Sequence, residues 1–299
     1  MKNNISRGLA KTCEKVIALK PRKYKKAIID LSARKTKGKG QGLVDISGQD
    51  LRGMDLSNVL LSYLVMENAD LSYSNCSHNR FDKSHCKGMK IDGADLTGSY
   101  FYQIDMSHRD FGRALLKDVV FRASNMSHSD FSKADLEGTE LSGSCFNGAK
   151  FNGRDLSKRT IRFVKMIAAD LSDTNLCDTT FNSGELMSAI LKGVKSRNST
   201  YSNCDMSFVN FEGGDFRGSE FIETNLEGSN FTGADLRGVV FRGSGICDVD
   251  FTDANLKGAD FTDVACDECE FTMEQLEQAI GIRGSRTQHL DEYRDQAAS

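Results

Sequence analysis

Proline is almost missing from this sequence: Pro21 is the single one among 299 residues. Each proline would delete a backbone donor, so its scarcity leaves the chain open to uninterrupted hydrogen-bonded ladders. Tryptophan is absent, and no stretch approaches the roughly 18 consecutive apolar residues of a membrane span. The first residues lack a secretory apolar core with a small-residue cleavage site, and these absences together predict a soluble, cytoplasmic protein. Gly-rich phosphate loops, nucleophile elbows and acid–base pairs at working spacing are missing as well, and His78, His85 and His289 have no evident partners. The expectation is a protein that is not an enzyme and carries neither cofactor nor metal.

What the chain does have is a repeat. From Ile46 to Leu276 an apolar residue stands at every fifth position, as at Leu51, Leu56, Phe81, Phe111, Phe131, Phe241 and Phe261, with Ser196 the one exception. Two residues before each comes a second, usually small or branched residue, such as Ala69, Ala94, Ala134, Ala234 or Ala254. Alternate residues of an extended segment point to opposite sides, so these two positions face inward and the residue between them, usually Asp or Asn, faces out. Glycine recurs at the end of the unit, where a corner wants a permissive backbone. Of the nine cysteines, Cys76, Cys86 and Cys266 occupy the large inward position and Cys204 and Cys269 the small one. They read as reduced core fillers, and Cys266 and Cys269, although spaced C-x-x-C, lack a second pair to make a metal site.

Units such as Ala94-Asp95-Leu96-Thr97-Gly98, Ala134-Asp135-Leu136-Glu137-Gly138 and Ala254-Asn255-Leu256-Lys257-Gly258 resemble the pentapeptide-repeat family, whose motif is A(D/N)LXX. The resemblance covers about three quarters of the chain. It implies an all-β solenoid, a right-handed quadrilateral β-helix with one pentapeptide per face and twenty residues per coil. Met106-Ser107-His108 returning as Met126-Ser127-His128 fits that period. On this geometry the repeat would make eleven or twelve coils, about 55 Å long at a spacing near 4.8 Å.

Open solenoid ends expose core and unpaired strands, so short α-helical caps are expected at both ends. The organisation predicted is a basic helical extension or cap over residues 1–40, the β-helix over 41–272, and a capping helix with a polar tail over 273–299. At the far end Thr272 and Gln275 have capping-box spacing, and Leu276, Ala279 and Ile280 form one helical stripe. Ile5, Leu9 and Cys13, then Tyr24, Ile28 and Leu31 after Pro21, give two helical stripes at the near end. Some inward sites break the rule: Arg109, Arg154 and Arg159 in the small position, Gln49 and Glu274 near the ends. Local bulging that lets each polar group reach water or a partner is the expectation there.

Stacked by twenty, as the resemblance implies, outward residues form ladders. Asp50, Asp70, Lys90, Asp110, Asp130, Lys150 and Asp170 make one; Asp55, Asn75, Asp95, Leu115, Asp135, Asp155 and Asn175 make its neighbour. Their acidic edge, with Asp95, Asp110, Asp130, Asp135 and Asp155 as candidate contacts, can imitate the field of duplex DNA toward a protein with a basic groove. Asp and Asn are also the motif's own preferred residues, so an acidic surface is equally the family default. A basic ladder of Arg197, Arg217, Arg237 and Lys257 reads as cross-strand salt bridging with Asp215 and Asp235, or as an anion site. His108 and His128 stack as repeated surface residues or as a weak metal pair.

The formal charge of −3 hides a division. Before Gln41 there are thirteen Lys or Arg against Glu14 and Asp30, about +11, which leaves about −14 for the rest. The basic head reads as a cap on the first coil, as an arm for nucleic acid or an anionic membrane, or as an export signal. Family members that protect or inhibit DNA gyrase are acidic β-helix dimers occupying the enzyme's DNA saddle. The resemblance therefore implies a protein partner, gyrase foremost, and a homodimer with Leu276 and Ile280 as candidate contacts. Other members are effectors injected into host cells, so a secreted effector or scaffold acting on a host protein is the alternative, with a phage structural protein beside it.

Overall fold

The computed structural model describes residues 44–282, apart from 265 and 267. The basic head and the polar tail after residue 282 lie outside the described residues. The chain forms two compact units, Met1–Cys145 and Phe146–Ser299.

In the first unit the strands are β1 (Val44–Asp45), β2 (Leu64–Val65), β3 (Arg80–Asp82), β4 (Tyr100–Tyr102) and β5 (Val120–Arg122). All their pairings are parallel and offset by twenty residues, with Phe81 opposite Phe101 and Phe101 opposite Phe121. Single bridges continue the same offset on the other sides, as in Asp50 to Asp70 and Asp55 to Asn75. The second unit repeats the scheme with β6 (Thr160–Arg162), β7 (Thr180–Asn182), β8 (Thr200–Ser202), β9 (Glu220–Ile222) and β10 (Val240–Arg242), paired in that order. One of its coils shows the four sides in sequence, with bridges from Asp205 to Asn225, Asn210 to Asn230, Asp215 to Asp235 and strand pairing of Glu220 with Val240. Each unit is thus a β-solenoid of four-sided coils.

The pentapeptide explains itself as backbone chemistry. The outward residue bonds twice to the preceding coil, Asp70 N–H donating to Gln49 O at 2.9 Å and Asp70 O accepting from Leu51 N–H at 2.8 Å, while its neighbours Ala69 and Leu71 bond Lys90 of the next coil in the same way. The chain then turns, closing a bond such as Ala94 N–H to Ile91 O at 3.0 Å, with the residue before the small one in the left-handed region. Gly93 sits there at φ +63°. The ring of Tyr73, one coil earlier, lies over it, and a Cβ added to Gly93 would meet that ring at 2.6 Å. Gly93→Ala is therefore expected to cost about 1 kcal/mol or more, from positive φ and from displacing the ring. A urea midpoint equal to wild type would contradict this.

Inside, the fivefold phase holds: Leu51, Leu56, Phe111, Phe131, Phe181, Phe231 and Phe261 are fully buried. Rings stack coil on coil, with centroids 4.7 Å apart for Phe81 and Phe101 and 4.3 Å for Phe211 and Phe231. The exception, Ser196, is buried and shares a hydrogen bond of 2.7 Å with the Tyr201 hydroxyl five residues on. Small inward positions also take Ser and Thr because their hydroxyls find main-chain partners between coils. Ser99 Oγ donates to Cys76 O at 2.8 Å and accepts from Asn79 N–H at 3.1 Å.

The bulging expected at the inward arginines does not occur within either unit. Bridges at Asp105 and Asp110 keep the twenty-residue offset around Arg109, and Lys150, Asp155 and β6 do so around Arg154 and Arg159. The ladder keeps its register because each side chain lies half-buried at the wall, and kinking the coil would break backbone bonds on both sides.

At the far end α1 (Met273–Gln278) carries the expected capping box, Thr272 and Gln275 each bonding the other's backbone N–H. The predicted stripe is corrected. The helix stops at Gln278, Ala279 is its extended C-cap, and Ile280 returns to the ladder by bridging Asp260. Turning from coil to helix breaks the fivefold phase, so Gln275 is buried at 7% exposure while Leu276 is half-buried. The Gln275 amide donates to Phe251 O at 2.7 Å and Ala254 O at 3.1 Å, satisfying carbonyls that no further coil serves. Glu274 is exposed in the first turn, not inward. Gln49 is half-buried.

Candidate functional site

Four of the five predicted acidic-edge residues belong to the first unit, and the fold gives each a structural task. Oδ1 of Asp95 accepts the Thr97 N–H at 2.9 Å, that of Asp110 the Gly112 N–H at 2.8 Å, that of Asp130 the Ser132 N–H at 2.9 Å, and that of Asp135 the Glu137 N–H at 3.0 Å. These are Asx turns that open each corner. Asparagine does the same, as Asn75 does for Ser77 at 3.1 Å and Asn125 for Ser127 at 3.1 Å. The corner requires the oxygen and leaves the charge free to serve something else.

That charge is retained unevenly. Asp50 is clasped by Arg52 at 2.8 Å, which holds its carboxyl down to about 2, and Asp70 has Lys90 at 3.9 Å and Arg52 at 4.0 Å. Asp95, Asp110 and Asp135 meet no cation in an ion pair among the described residues. Asp110 bridges Asp130 directly, while Leu115, 54% exposed, stands between Asp95 and Asp135 in the neighbouring ladder. The carboxylates without an ion pair are therefore Asp95, Asp110 and Asp135, of which Asp135 lies near enough to Lys117 to raise that ammonium's pKa. Asp155 lies in the second unit, capping Ser157 N–H at 2.9 Å. Burial raises its carboxyl, but hydrogen bonds from Ser157 and Asn175 and the nearby Arg159 outweigh that and hold it below the usual range.

The basic ladder of the second unit is internally neutralised along most of its length. Arg197 Nε lies 2.6 Å from Asp215, Arg217 2.8 Å from Asp215 and 3.5 Å from Asp235, and Arg237 2.7 Å from Asp235. Lys257, at the end of the row, has no ion pair among the described residues. The bonds from Arg217 hold the Asp215 carboxyl far below the usual carboxylate range, and those from Arg237 lower Asp235. Depressed values mean that the ladder's contribution is fully present above the unfolded value near pH 4 and is lost as pH falls through the folded values. Urea midpoints are thus expected to drop below about pH 4, and Asp215→Asn should flatten that slope; parallel slopes in the two proteins would contradict the assignment.

His108 and His128 stack with ring centroids 4.9 Å apart, as the repeat predicts. Among the described residues no three His, Cys, Asp or Glu side chains converge on a point that could hold a metal ion. Burial pushes the Cys76, Cys86 and Cys269 thiols up to about 12, which leaves them protonated at neutral pH. Cys269 donates to Ile246 O at 2.8 Å. Of the candidate dimer contacts, Ile280 is 54% exposed beyond α1 and Leu276 is half-buried; Met273, exposed beside them, escaped the sequence reading because it lies off the fivefold phase.

The model for a pentapeptide repeat region matches residues 194–279, and that for pentapeptide repeats, in eight copies, matches 65–98 and 114–153. The chain belongs to the pentapeptide-repeat family, and its fold is that family's right-handed quadrilateral β-helix. A trypsin-treated form of QnrB1, a plasmid-mediated fluoroquinolone resistance protein, superposes with a TM-score of 0.52 at 19% identity, over 62% of this chain and 93% of that one. HetL, a pentapeptide repeat protein involved in heterocyst differentiation regulation in the cyanobacterium Nostoc sp. strain PCC 7120, gives a TM-score of 0.34 at 22% identity, over 77% and 94%. No curated protein matches by sequence.

Proposed function

We propose that this protein is a non-catalytic binding module that presents the acidic edge of its first unit to the basic DNA groove of a type II topoisomerase. The observation that carries the reading is that Asp95, Asp110 and Asp135 have no ion pair among the described residues, at corners where asparagine serves the backbone equally well. Asp110 and Asp130 stand on adjacent coils, about 4.8 Å apart, and in the neighbouring ladder Asp95 and Asp135 stand two coils apart, all on one rigid scaffold. Duplex DNA presents a charge roughly every 1.7 Å of axis, so a rigid row of carboxylates competes for the same cations. A cytoplasmic location goes with this reading. The fold shared with a fluoroquinolone resistance protein makes DNA gyrase the first topoisomerase to assay.

The test is displacement of a fluorescent duplex from purified gyrase, followed by anisotropy. The protein should displace DNA at micromolar concentration, and less effectively as salt is raised, because exposed charges are screened over about 10 Å at 0.1 M. Unchanged anisotropy across that range would sink the topoisomerase reading and leave the host-cell effector as the class to pursue.

A further inference from the structure

Arg109 is the anomaly of the first unit's wall. Its position in the coil is filled by Ala69 and Ser129 at the same place on other coils, and its Nε is buried without an acceptor among the described residues. Among those residues its guanidinium also has no ion pair. The side chain is half-buried, but a donor nitrogen removed from water and left unmatched is costly, and an inward alanine or serine would avoid the cost. The side chain lines a surface groove of about 400 Å³ together with Asn68, Lys87, Gly88, Asp105, Ser107 and His108. Lys87 likewise has no ion pair among the described residues. Gly88, at φ +73°, keeps the floor open under the Asn68 amide: an added Cβ would fall 2.0 Å from Asn68 Oδ1. The one carboxylate in the groove, Asp105, is engaged by Ser107 N–H at 2.9 Å and Asn125 Nδ2 at 3.1 Å. The lining thus offers two cations, a hydroxyl and an imidazole against a single acid.

We infer that this groove is an oxyanion site, with Arg109 and Lys87 as its charged donors and a phosphate group as its ligand. Phosphate suits it because its several oxygens accept from guanidinium, ammonium and hydroxyl donors at once. The groove is larger than the ion, so the phosphate would anchor a phosphorylated small molecule at least as readily as bind free. None of the acidic-edge residues lines this groove, although Arg109 immediately precedes Asp110, and its failure would leave the topoisomerase reading untouched.

Thermal melts and phosphorus-31 line widths of the full chain in phosphate-free buffer test it, with inorganic phosphate and glycerol phosphate titrated against chloride at equal ionic strength. Wild type should show a saturable rise in Tm and line broadening that chloride does not reproduce. Arg109→Ser should abolish both, and Lys87→Gln should weaken apparent affinity about tenfold. Arg109→Met keeps the aliphatic stem but no donors, so it decides the matter if the serine variant folds poorly. Tighter binding of glycerol phosphate than of inorganic phosphate would support an anchoring role, and the reverse order a free-ion site. Equal responses to phosphate and chloride, or a response retained in Arg109→Met, would overturn the proposal.

Discussion

Phe221→Ala is expected to destabilise the second unit by about 3–5 kcal/mol, the usual cost of deleting a buried phenylalanine. The ring is fully buried between Tyr201 and Phe241, with centroids at 5.0 and 5.3 Å, and meets Phe211 and Phe231 edge-on at 6.1 and 5.9 Å. A globular core can shift a helix to close such a cavity. Here the coils above and below are fixed by parallel strand pairing on both sides of β9, so the void stays open. Since each coil depends on its neighbours, the loss should appear as a lower urea midpoint for the second unit. Phe221→Leu, which refills part of the volume, should recover a good share of it. A loss below about 1 kcal/mol for alanine would mean that the aromatic column repacks, contrary to the rigidity argued here.

The second large effect concerns binding. Replacing Asp95, Asp110, Asp130 and Asp135 together by asparagine should leave far-ultraviolet circular dichroism and urea midpoint close to wild type, because the Asx turns survive the change. Displacement of DNA from the topoisomerase should nevertheless weaken by about a hundredfold, with most of the loss in association rate and salt dependence. The isosteric change separates charge from fold. A variant that unfolds would show that the carboxylates serve structure, and one that competes as well as wild type would place the contact surface elsewhere.

Much of this architecture was legible in the sequence, and the reason is repetition. A fivefold apolar phase maintained from Ile46 to Phe261 allows one burial pattern, and those positions are buried. Thr272 and Gln275 could be read because a capping box is local chemistry. The end of the array was not legible in the same way: where the coil gives way to α1 the period changes, and Gln275 takes the buried place that the phase assigns to Leu276. Contacts between coils were also hidden. Tyr73 over Gly93 and Phe208 over Gly228 join residues twenty apart, and each looks like an ordinary corner until the register is known. The candidate site was half visible. Its aspartates could be placed on one edge, but only the hydrogen bonds show that their oxygens are committed to the corners, and only the folded register shows that Asp50 and Asp70 meet cations in ion pairs while Asp95, Asp110 and Asp135 meet none among the described residues. Arg109 stood out as misplaced, whereas its missing partner is a property of the folded wall.

The most direct test of the central claim is gyrase supercoiling of relaxed plasmid, with wild type and the four-asparagine variant titrated side by side. The account predicts inhibition by wild type at micromolar concentration that excess duplex DNA relieves, and little or no inhibition by the variant. Full supercoiling at every concentration of wild type, or equal inhibition by both proteins, would contradict it.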